Sequence, residues 1–187
     1  MDGPLLPARP LELGFASFAQ PSGLASDGQW LYVADSEGSS IRAVPFDPAG
    51  AVTTVIGTAH LPTNRLFTFG DVDGRGRNVR LQHVLGVTHH DGRLYLADTY
   101  NDKVKELDLK TLSVRTIAGG NSPSAVQDEI ASDEPAGFDE PAGVSYAAGK
   151  LYVADTNNHR IRTIDLAGGN RVETLEIQGL TPPAPVE

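Results

Sequence analysis

Three aspartates stand at the same place in three similar segments, and carboxylates in register could line a channel that binds a metal ion or supports catalysis. They are Asp35, Asp98 and Asp155, each at the end of a Leu-Tyr-Val-Ala-Asp or Leu-Tyr-Leu-Ala-Asp run. An aspartate at the end of a strand also commonly accepts hydrogen bonds from the backbone N–H groups of the turn that follows. Because it recurs in every copy, we interpret it as a structural turn residue.

A second carboxylate pattern, Asp71-Val72-Asp73-Gly74, resembles the opening of a calcium loop, since alternate carboxylates before a glycine can converge on a hard cation. No further acidic residue completes a loop of the usual length. Arg75, Arg77 and Arg80 also place positive charge beside it. A glycine turn with Asx bonding is therefore favoured over a cation site.

Histidines His83, His89 and His90 raise the alternative of a zinc site. Successive strand residues point to opposite faces of a sheet, so His89 and His90 cannot easily share one ion. His83 instead suits a strand entrance closed by hydrogen bonding. We predict no metal ion and no cofactor, and the absence of cysteine excludes thiolate nucleophiles and thiolate zinc ligands.

Other motifs that would indicate an enzyme are absent from the sequence: there is no Gly-x-Ser-x-Gly, phosphate loop or two-histidine zinc helix. We therefore predict no catalytic residue. A net charge of -9 opposes binding to nucleic acid. A basic stripe suited to RNA is the weaker alternative, and its members would be Arg42, Lys105, Arg115 and Arg162.

No membrane segment is expected, because charged residues interrupt every apolar stretch before about 18 positions accumulate. The N-terminus has neither the basic region nor the apolar region of a secretory signal. We therefore expect the chain to act in the cytoplasm and without a membrane partner.

The aspartates belong to an internal repeat. A glycine precedes each of them at one fixed distance along the sequence, and a phenylalanine or leucine precedes each glycine at a second fixed distance. The glycines are Gly23, Gly86 and Gly143. Two constant offsets in three copies indicate one structural unit repeated in tandem. All variation in the period falls between the copies.

Each copy reads as four short strands separated by turn residues, with no helical periodicity. Asp27-Gly28 and Asp91-Gly92 are tight hairpin signals. In the first copy the predicted strands are about Ser22–Ser26, Trp30–Asp35, Ile41–Phe46 and Val52–Ile56. A sheet of this kind has two apolar faces and must stack on like neighbours, which predicts an all-β propeller.

This pattern divides the chain into three blades joined by two long connections. The predicted parts are an N-terminal segment (1–14), blades at about 15–57, 81–119 and 138–179, connections at 58–80 and 120–137, and a tail (180–187). Long connections are commonly functional, so they are candidates for partner contacts.

Residues 98–105 and 155–162 resemble the NHL repeat, the second of them almost residue for residue. Residues 18–24, 69–74 and 81–83 are similar to a family that carries a thioredoxin-like domain ahead of a six-bladed NHL propeller. The resemblance implies that the chain forms the last three four-stranded antiparallel blades, half of the ring. No Cys-x-x-Cys pair is present, so redox activity does not carry over, and Val84 departs from the Pro21 and Pro141 of the other blades.

The turns between the second and third strands of each blade should lie together on one rim, and their side chains differ between blades. Variable residues on a constant scaffold are where a specific partner is recognised. The candidate binding residues are Tyr100, Asp102, Lys103, Asn157, His159 and Arg160, with Arg75 and Arg77 from the first connection. Solvated turns without a partner are the open alternative.

The sequence thus predicts a non-catalytic segment that presents loops to a protein partner. Three blades do not close a ring, so it would be part of a larger protein, or two copies would form a homodimer of six blades. Two alternatives stay open. One is an accessory half-propeller of a thioredoxin-like redox protein, and the other is a metal-dependent lyase or hydrolase with a site on the axis.

Overall fold

The computed structural model describes residues 2–5, 16–59, 68–120 and 137–179. Within those ranges the chain forms three antiparallel sheets and no α-helix. Most of the predicted N-terminal segment, parts of both connections (60–67 and 121–136) and the predicted tail lie outside the described residues.

Each sheet is built on a meander of four strands in which consecutive strands pair. The first contains β1 (Gly3–Pro4), β2 (Pro21–Ser26), β3 (Trp30–Asp35), β4 (Ser40–Pro45) and β5 (Ala51–Gly57). The second contains β6 (Gly74–Arg75), β7 (Val84–His90), β8 (Arg93–Asp98), β9 (Lys103–Asp108) and β10 (Ser113–Gly119). The third contains β11 (Pro141–Ala147), β12 (Lys150–Asp155), β13 (Arg160–Asp165) and β14 (Arg171–Thr174). Short 3₁₀ turns occupy Gly76–Asn78 and Thr99–Asn101.

The three sheets confirm the predicted all-β blades, with one difference. The first two sheets each have a fifth strand at the outer edge, because β1 pairs with β5 and β6 pairs with β10. A strand of two residues is too short to show a period of two in the sequence, so pattern alone could not find it. Both extra strands follow an aspartate, Asp2 or Asp73.

The sheets stack face to face through two separate apolar clusters. Here the leading face of a blade is the one toward the preceding blade, and the trailing face is the one toward the next. In the second blade, Leu94 and Leu96 lie in the cluster shared with the first blade, while Tyr95 lies in the cluster shared with the third. Alternate residues of β8 therefore enter two different cores, as a sheet buried on both faces requires.

The repeated glycines allow this stacking at the innermost strands. A Cβ atom on Gly23 would lie 2.6 Å from the carbonyl oxygen of Leu85, and one on Gly86 would overlap the carbonyl oxygen of Ala142. Leu85 and Ala142 hold equivalent positions in the second and third blades. The repeated glycine of the first and second blades is thus the point where each blade touches the backbone of the next.

Candidate protein-binding rim

Each repeated aspartate ends the second strand of its blade and is buried against the segment that enters the blade. Asp35 Oδ1 accepts hydrogen bonds from the backbone N–H of Ala19 at 2.7 Å and of Gln20 at 3.0 Å. Asp98 and Asp155 accept in the same way from Gln82 at 2.7 Å and Asp139 at 2.8 Å. The donors precede the aspartate by about one hairpin rather than following it in the turn, because each aspartate pairs across the sheet with the first residue of the innermost strand.

The other carboxylate oxygen of each aspartate faces a buried cation. Asp35 Oδ2 lies 3.3 Å from Arg42, Asp98 Oδ2 lies 3.7 Å from Lys105, and Asp155 Oδ2 lies 3.7 Å from Arg162. All three basic side chains are buried. They are three of the four members of the basic stripe considered for RNA, and their burial leaves only Arg115 of that stripe exposed.

The carboxylates of the suggested calcium loop bind a lysine. Lys105 Nζ lies 2.8 Å from Asp71 Oδ1 and 2.7 Å from Asp73 Oδ1, and Lys103 also pairs with Asp71. Burial alone would raise the pKa of both aspartates, but hydrogen bonds from the lysines and from Thr116, with the lysine charge, hold each pKa below its usual value. The ammonium group thus occupies the position that the loop hypothesis gave to a metal ion.

The first blade repeats this arrangement with different residues. Asp2 Oδ1 accepts from Arg42 at 2.9 Å and from Thr54 Oγ1 at 2.6 Å, just as Asp73 Oδ1 accepts from Lys105 and Thr116. In both blades, the aspartate just before the fifth strand therefore ties the outer edge of the sheet to the buried cation. The Asp-Gly dipeptides at 2–3 and 73–74 are the sequence signal for this arrangement, and they lie outside the segments that define the repeat.

Asp98 gives the second blade a distinctive pH dependence. Burial raises its pKa to about 6, although Asn101, Gln82 and Lys105 favour the charged form. The unfolded pKa is about 3.9. Because the folded pKa is the higher one, the stability that this group contributes is complete below about pH 4 and is lost as the pH rises through about 6.

We therefore expect the free energy of unfolding of the wild-type chain to fall by about 2 kcal/mol more than that of Asp98→Asn between about pH 4.5 and pH 7. Urea titrations of both proteins at a series of pH values, at one fixed protein concentration, measure this difference. Parallel profiles for the two proteins would show that Asp98 titrates normally.

The turns between the second and third strands form one rim, and a side chain from each of the first two contacts the next blade. Ser39, Asp102 and His159 occupy the same turn position with positive φ values of 42°, 54° and 54°. Ser39 Oγ accepts from the backbone N–H of His83 at 3.4 Å, and Asp102 Oδ1 accepts from that of Glu140 at 2.8 Å. Asp102, a predicted binding residue, is thus engaged in the junction between blades.

An aromatic cluster stands on the rim beside the junction of the first two blades. The His83 ring lies 4.5 Å from that of Tyr100 and 6.2 Å from that of Phe69, centroid to centroid, and its Nε2 lies 3.4 Å from Glu37 Oε1. Tyr100 is 50% exposed and Phe69 is 42% exposed. The structure joins Tyr100, which the sequence singled out as a binding residue, to Phe69 and Glu37, which it did not.

The turn that carries Tyr100 also fixes the backbone next to Phe69. Asn101 donates from Nδ2 to the carbonyl oxygen of Gly70 at 2.8 Å and to Asp98 Oδ2 at 2.8 Å. The connection that precedes the second blade is therefore tied to the same turn that carries Tyr100. The sequence repeat carries no signal for this contact, because Phe69 lies in a connection without a counterpart in the other blades.

The remaining predicted rim residues do not form one surface. Asn157 bonds to Asp139 through both its backbone N–H and its side chain, each at 3.1 Å, and lies with His159 and Arg160 on the turn of the third blade. Arg75 lies in β6, where its Nε donates to the carbonyl oxygen of Thr111 at 2.6 Å.

Arg75 pairs with the first residue of β10, whereas Lys103 pairs with the last. The structure therefore places Arg75, and Arg77 just after it, at the opposite end of the sheet from the rim.

The adjacent histidines contact different blades. His89 stacks on Tyr32 of the first blade with 6.4 Å between ring centroids, and His90 stacks on Tyr146 of the third with 3.6 Å. Among the described residues, no group of three or more histidine, aspartate or glutamate side chains converges as a metal site would require.

Comparison with known proteins identifies the repeat. The family model of the NHL repeat matches residues 138–164, the start of the third blade and its first three strands. Residues 138–164 therefore form an NHL repeat. The chain is also 49% identical over 161 residues to bovine NHL repeat-containing protein 2, a match that covers 81% of this chain and 21% of that protein.

Two further similarities place the repeats among known proteins. Protein SUPPRESSOR OF QUENCHING 1, chloroplastic, from Arabidopsis thaliana is 46% identical over 177 residues, covering 90% of this chain and 16% of that protein. Virginiamycin B lyase from Staphylococcus aureus has a similar structure, with a TM-score of 0.52 and 16% identity over 86% of this chain and 42% of that one. At that identity the likeness shows the fold alone.

The chain spans about a fifth of the length of the curated relatives it matches. In the described part of the chain, no helix has the length and apolar character needed to cross a membrane.

Proposed function

We propose that this NHL-repeat segment is a non-catalytic binding module that presents the rim of its blades to a protein partner. The aromatic cluster of Phe69, His83 and Tyr100, with Glu37 beside it, is the contact surface. The observation that supports this is the exposure of two large aromatic side chains on a part of the rim that hydrogen bonds hold in place.

Exposed aromatic side chains on a rigid support suit protein recognition for a physical reason. Tyrosine buries a large area on binding and has few rotamers to lose, so ordering it costs little conformational entropy. Tyr100 lies in a 3₁₀ turn, and its ring packs against that of His83 at an angle of 33°, which restricts it before any partner arrives. The cluster is therefore organised for binding in advance.

Quantitative capture of partners tests this proposal. We expect the Tyr100→Ala chain, immobilised and exposed to extract of its native cells, to bind the principal partner at least about tenfold more weakly than wild type. Tyr100→Phe keeps the ring and should retain most of the binding.

The matched control is Phe46→Ala, because Phe46 is an exposed aromatic residue in the turn after β4, away from the rim. This change should leave partner binding unaltered. Equal capture by wild type, Tyr100→Ala and Phe46→Ala would contradict the proposal.

The proposed function also requires a complete propeller ring. The segment is completed to a ring within a larger protein or by a second copy, since an isolated half-ring has two apolar faces without a neighbour.

We also propose that the segment acts in the cytoplasm, although the name of one relative places that protein in the chloroplast. Fractionation of native cells tests the proposed cytoplasmic location.

A further inference from the structure

The chain holds two of its own arginine side chains with one combination of groups, an aromatic ring and a carboxylate. Arg42 Cζ lies 5.2 Å from the centre of the Phe18 ring, and its Nη1 lies 3.3 Å from Asp35 Oδ2. The third blade repeats the arrangement at 6.0 Å and 3.7 Å, with Arg162, Phe138 and Asp155. The attraction of a cation to the face of an aromatic ring adds to its attraction to the carboxylate.

The aromatic cluster on the rim brings the same two kinds of group together. Tyr100 and Phe69 offer ring surface to solvent, and the Glu37 side chain beside them is 45% exposed. Among the described residues, Glu37 forms an ion pair only with His83, whose ring contacts both other rings. The cluster therefore presents aromatic surface and a carboxylate without a lysine or arginine bound to them.

His83 leaves the negative charge of Glu37 available. The Nδ1 atom of His83 is buried, and within the described ranges it has no hydrogen-bond partner. A second proton on the ring would place an N–H donor there without an acceptor, which costs free energy. The ring with its one proton on Nε2, directed at Glu37, avoids that cost and adds no positive charge.

The surroundings of the aromatic cluster are acidic. Asp102 lies on the same turn as Tyr100, and it accepts a hydrogen bond from the backbone of Glu140. Lys103, which follows on that turn, pairs with Asp71. The whole chain carries a net charge of -9. A surface of this kind attracts a basic segment and repels an acidic or phosphorylated one.

We propose that the aromatic cluster binds an arginine side chain of the protein partner, with the guanidinium against its rings and the charge opposite Glu37. Arginine suits this surface better than lysine, because the guanidinium is planar, stacks on aromatic faces and is less strongly hydrated than an ammonium. All residues of the site belong to the first two blades and the connection between them. The inference rests on the proposed function for the source of the side chain.

Nuclear magnetic resonance titration of the full chain with a short peptide tests the site. The probe is the acetylated and amidated peptide Gly-Arg-Arg-Gly, and its control replaces arginine by citrulline, which has nearly the same shape without the charge. We expect the arginine peptide to shift the amide resonances of Tyr100 and Glu37 with a dissociation constant on the order of 1 mM. The citrulline peptide should bind at least about fivefold more weakly.

A pair of variants isolates the contribution of the carboxylate. Glu37→Gln should raise the dissociation constant of the arginine peptide at least about threefold, with an unchanged circular dichroism spectrum. Asp91→Asn is the matched control, because Asp91 is an exposed carboxylate in the turn between β7 and β8, at the opposite end of the sheet from the rim. It removes the same charge from the chain and should leave peptide binding unaltered.

Three results would each overturn the proposal: equal binding of the two peptides, resonance shifts that leave Tyr100 unaffected, or equal binding of the arginine peptide by wild type and Glu37→Gln. Partner capture separates these results from failure of the proposed function. If Tyr100→Ala loses the partner but the arginine peptide does not bind, the rim recognises the partner by other means and this inference is wrong. If the peptide binds at the aromatic cluster but Tyr100→Ala retains the partner, only the proposed function is contradicted.

Discussion

Lys105→Met should lower the free energy of unfolding by about 3 kcal/mol at neutral pH. Lys105 is fully buried and is the cation shared by Asp71, Asp73 and Asp98. Asp98 is buried as well, so its charge would lose its partner in a region of low dielectric. Asp71 and Asp73 are more than a third exposed and can be hydrated, which keeps the loss at the lower end of the range for buried pairs.

Urea unfolding monitored by circular dichroism measures this loss. Lys110→Met is the matched control, because Lys110 is exposed, and its midpoint should shift little. Adding Asp98→Asn to Lys105→Met should recover part of the stability, since it removes the charge left without a partner. A Lys105→Met protein as stable as Lys110→Met would refute the buried network.

Gly86→Ala should destabilise the chain by about 2–4 kcal/mol, the second large effect expected. The added Cβ would overlap the carbonyl oxygen of Ala142, and both atoms belong to innermost strands that cannot separate without opening the apolar cluster between the blades. The φ angle of Gly86 is not in the left-handed region, so the loss comes from contact between blades rather than from backbone strain.

Thermal unfolding of Gly86→Ala beside Gly137→Ala isolates that contact. A Cβ on Gly137 meets nothing within 4 Å, so the control carries the same change in unfolded-state entropy without a clash. Equal melting temperatures for Gly86→Ala and Gly137→Ala would show that the second and third blades do not touch at Gly86.

The sequence predicted the architecture because the repeat imposes one spacing on glycine, strand and aspartate. The predicted strands of the first blade agree with β2 to β5 to within about one residue, and the central strand Trp30–Asp35 agrees at both ends. Each strand was found through its alternation and its hairpin turns, which are local properties of the chain.

The parts that the sequence did not predict depend on contacts between distant residues. The match of Lys105 with Asp71 and Asp73 joins residues far apart along the chain, and it depends on a very short strand, β6, that has no detectable period. The carboxylates instead resembled a calcium loop, because the same oxygens suit either cation.

The rim shows the same division between local and distant signals. Tyr100 was predicted as a binding residue from its turn, whereas Phe69 and Glu37 join it only through the stacking of two blades. Arg75 and Arg77 were grouped with the rim because they lie in a long connection, but the pairing of β6 with β10 takes them to the other end of the sheet. Their role in binding stays a prediction.

The central claim is that the three sheets stack blade upon blade through the innermost strands. Nuclear Overhauser spectroscopy tests it most directly, through the Hα protons of Gly23 and Gly86, each of which faces the next blade. The structure predicts cross-peaks from Gly23 Hα to the amide proton of Val87 and from Gly86 Hα to that of Val144. Cross-peaks within each sheet with none between these pairs would contradict the stacked blades.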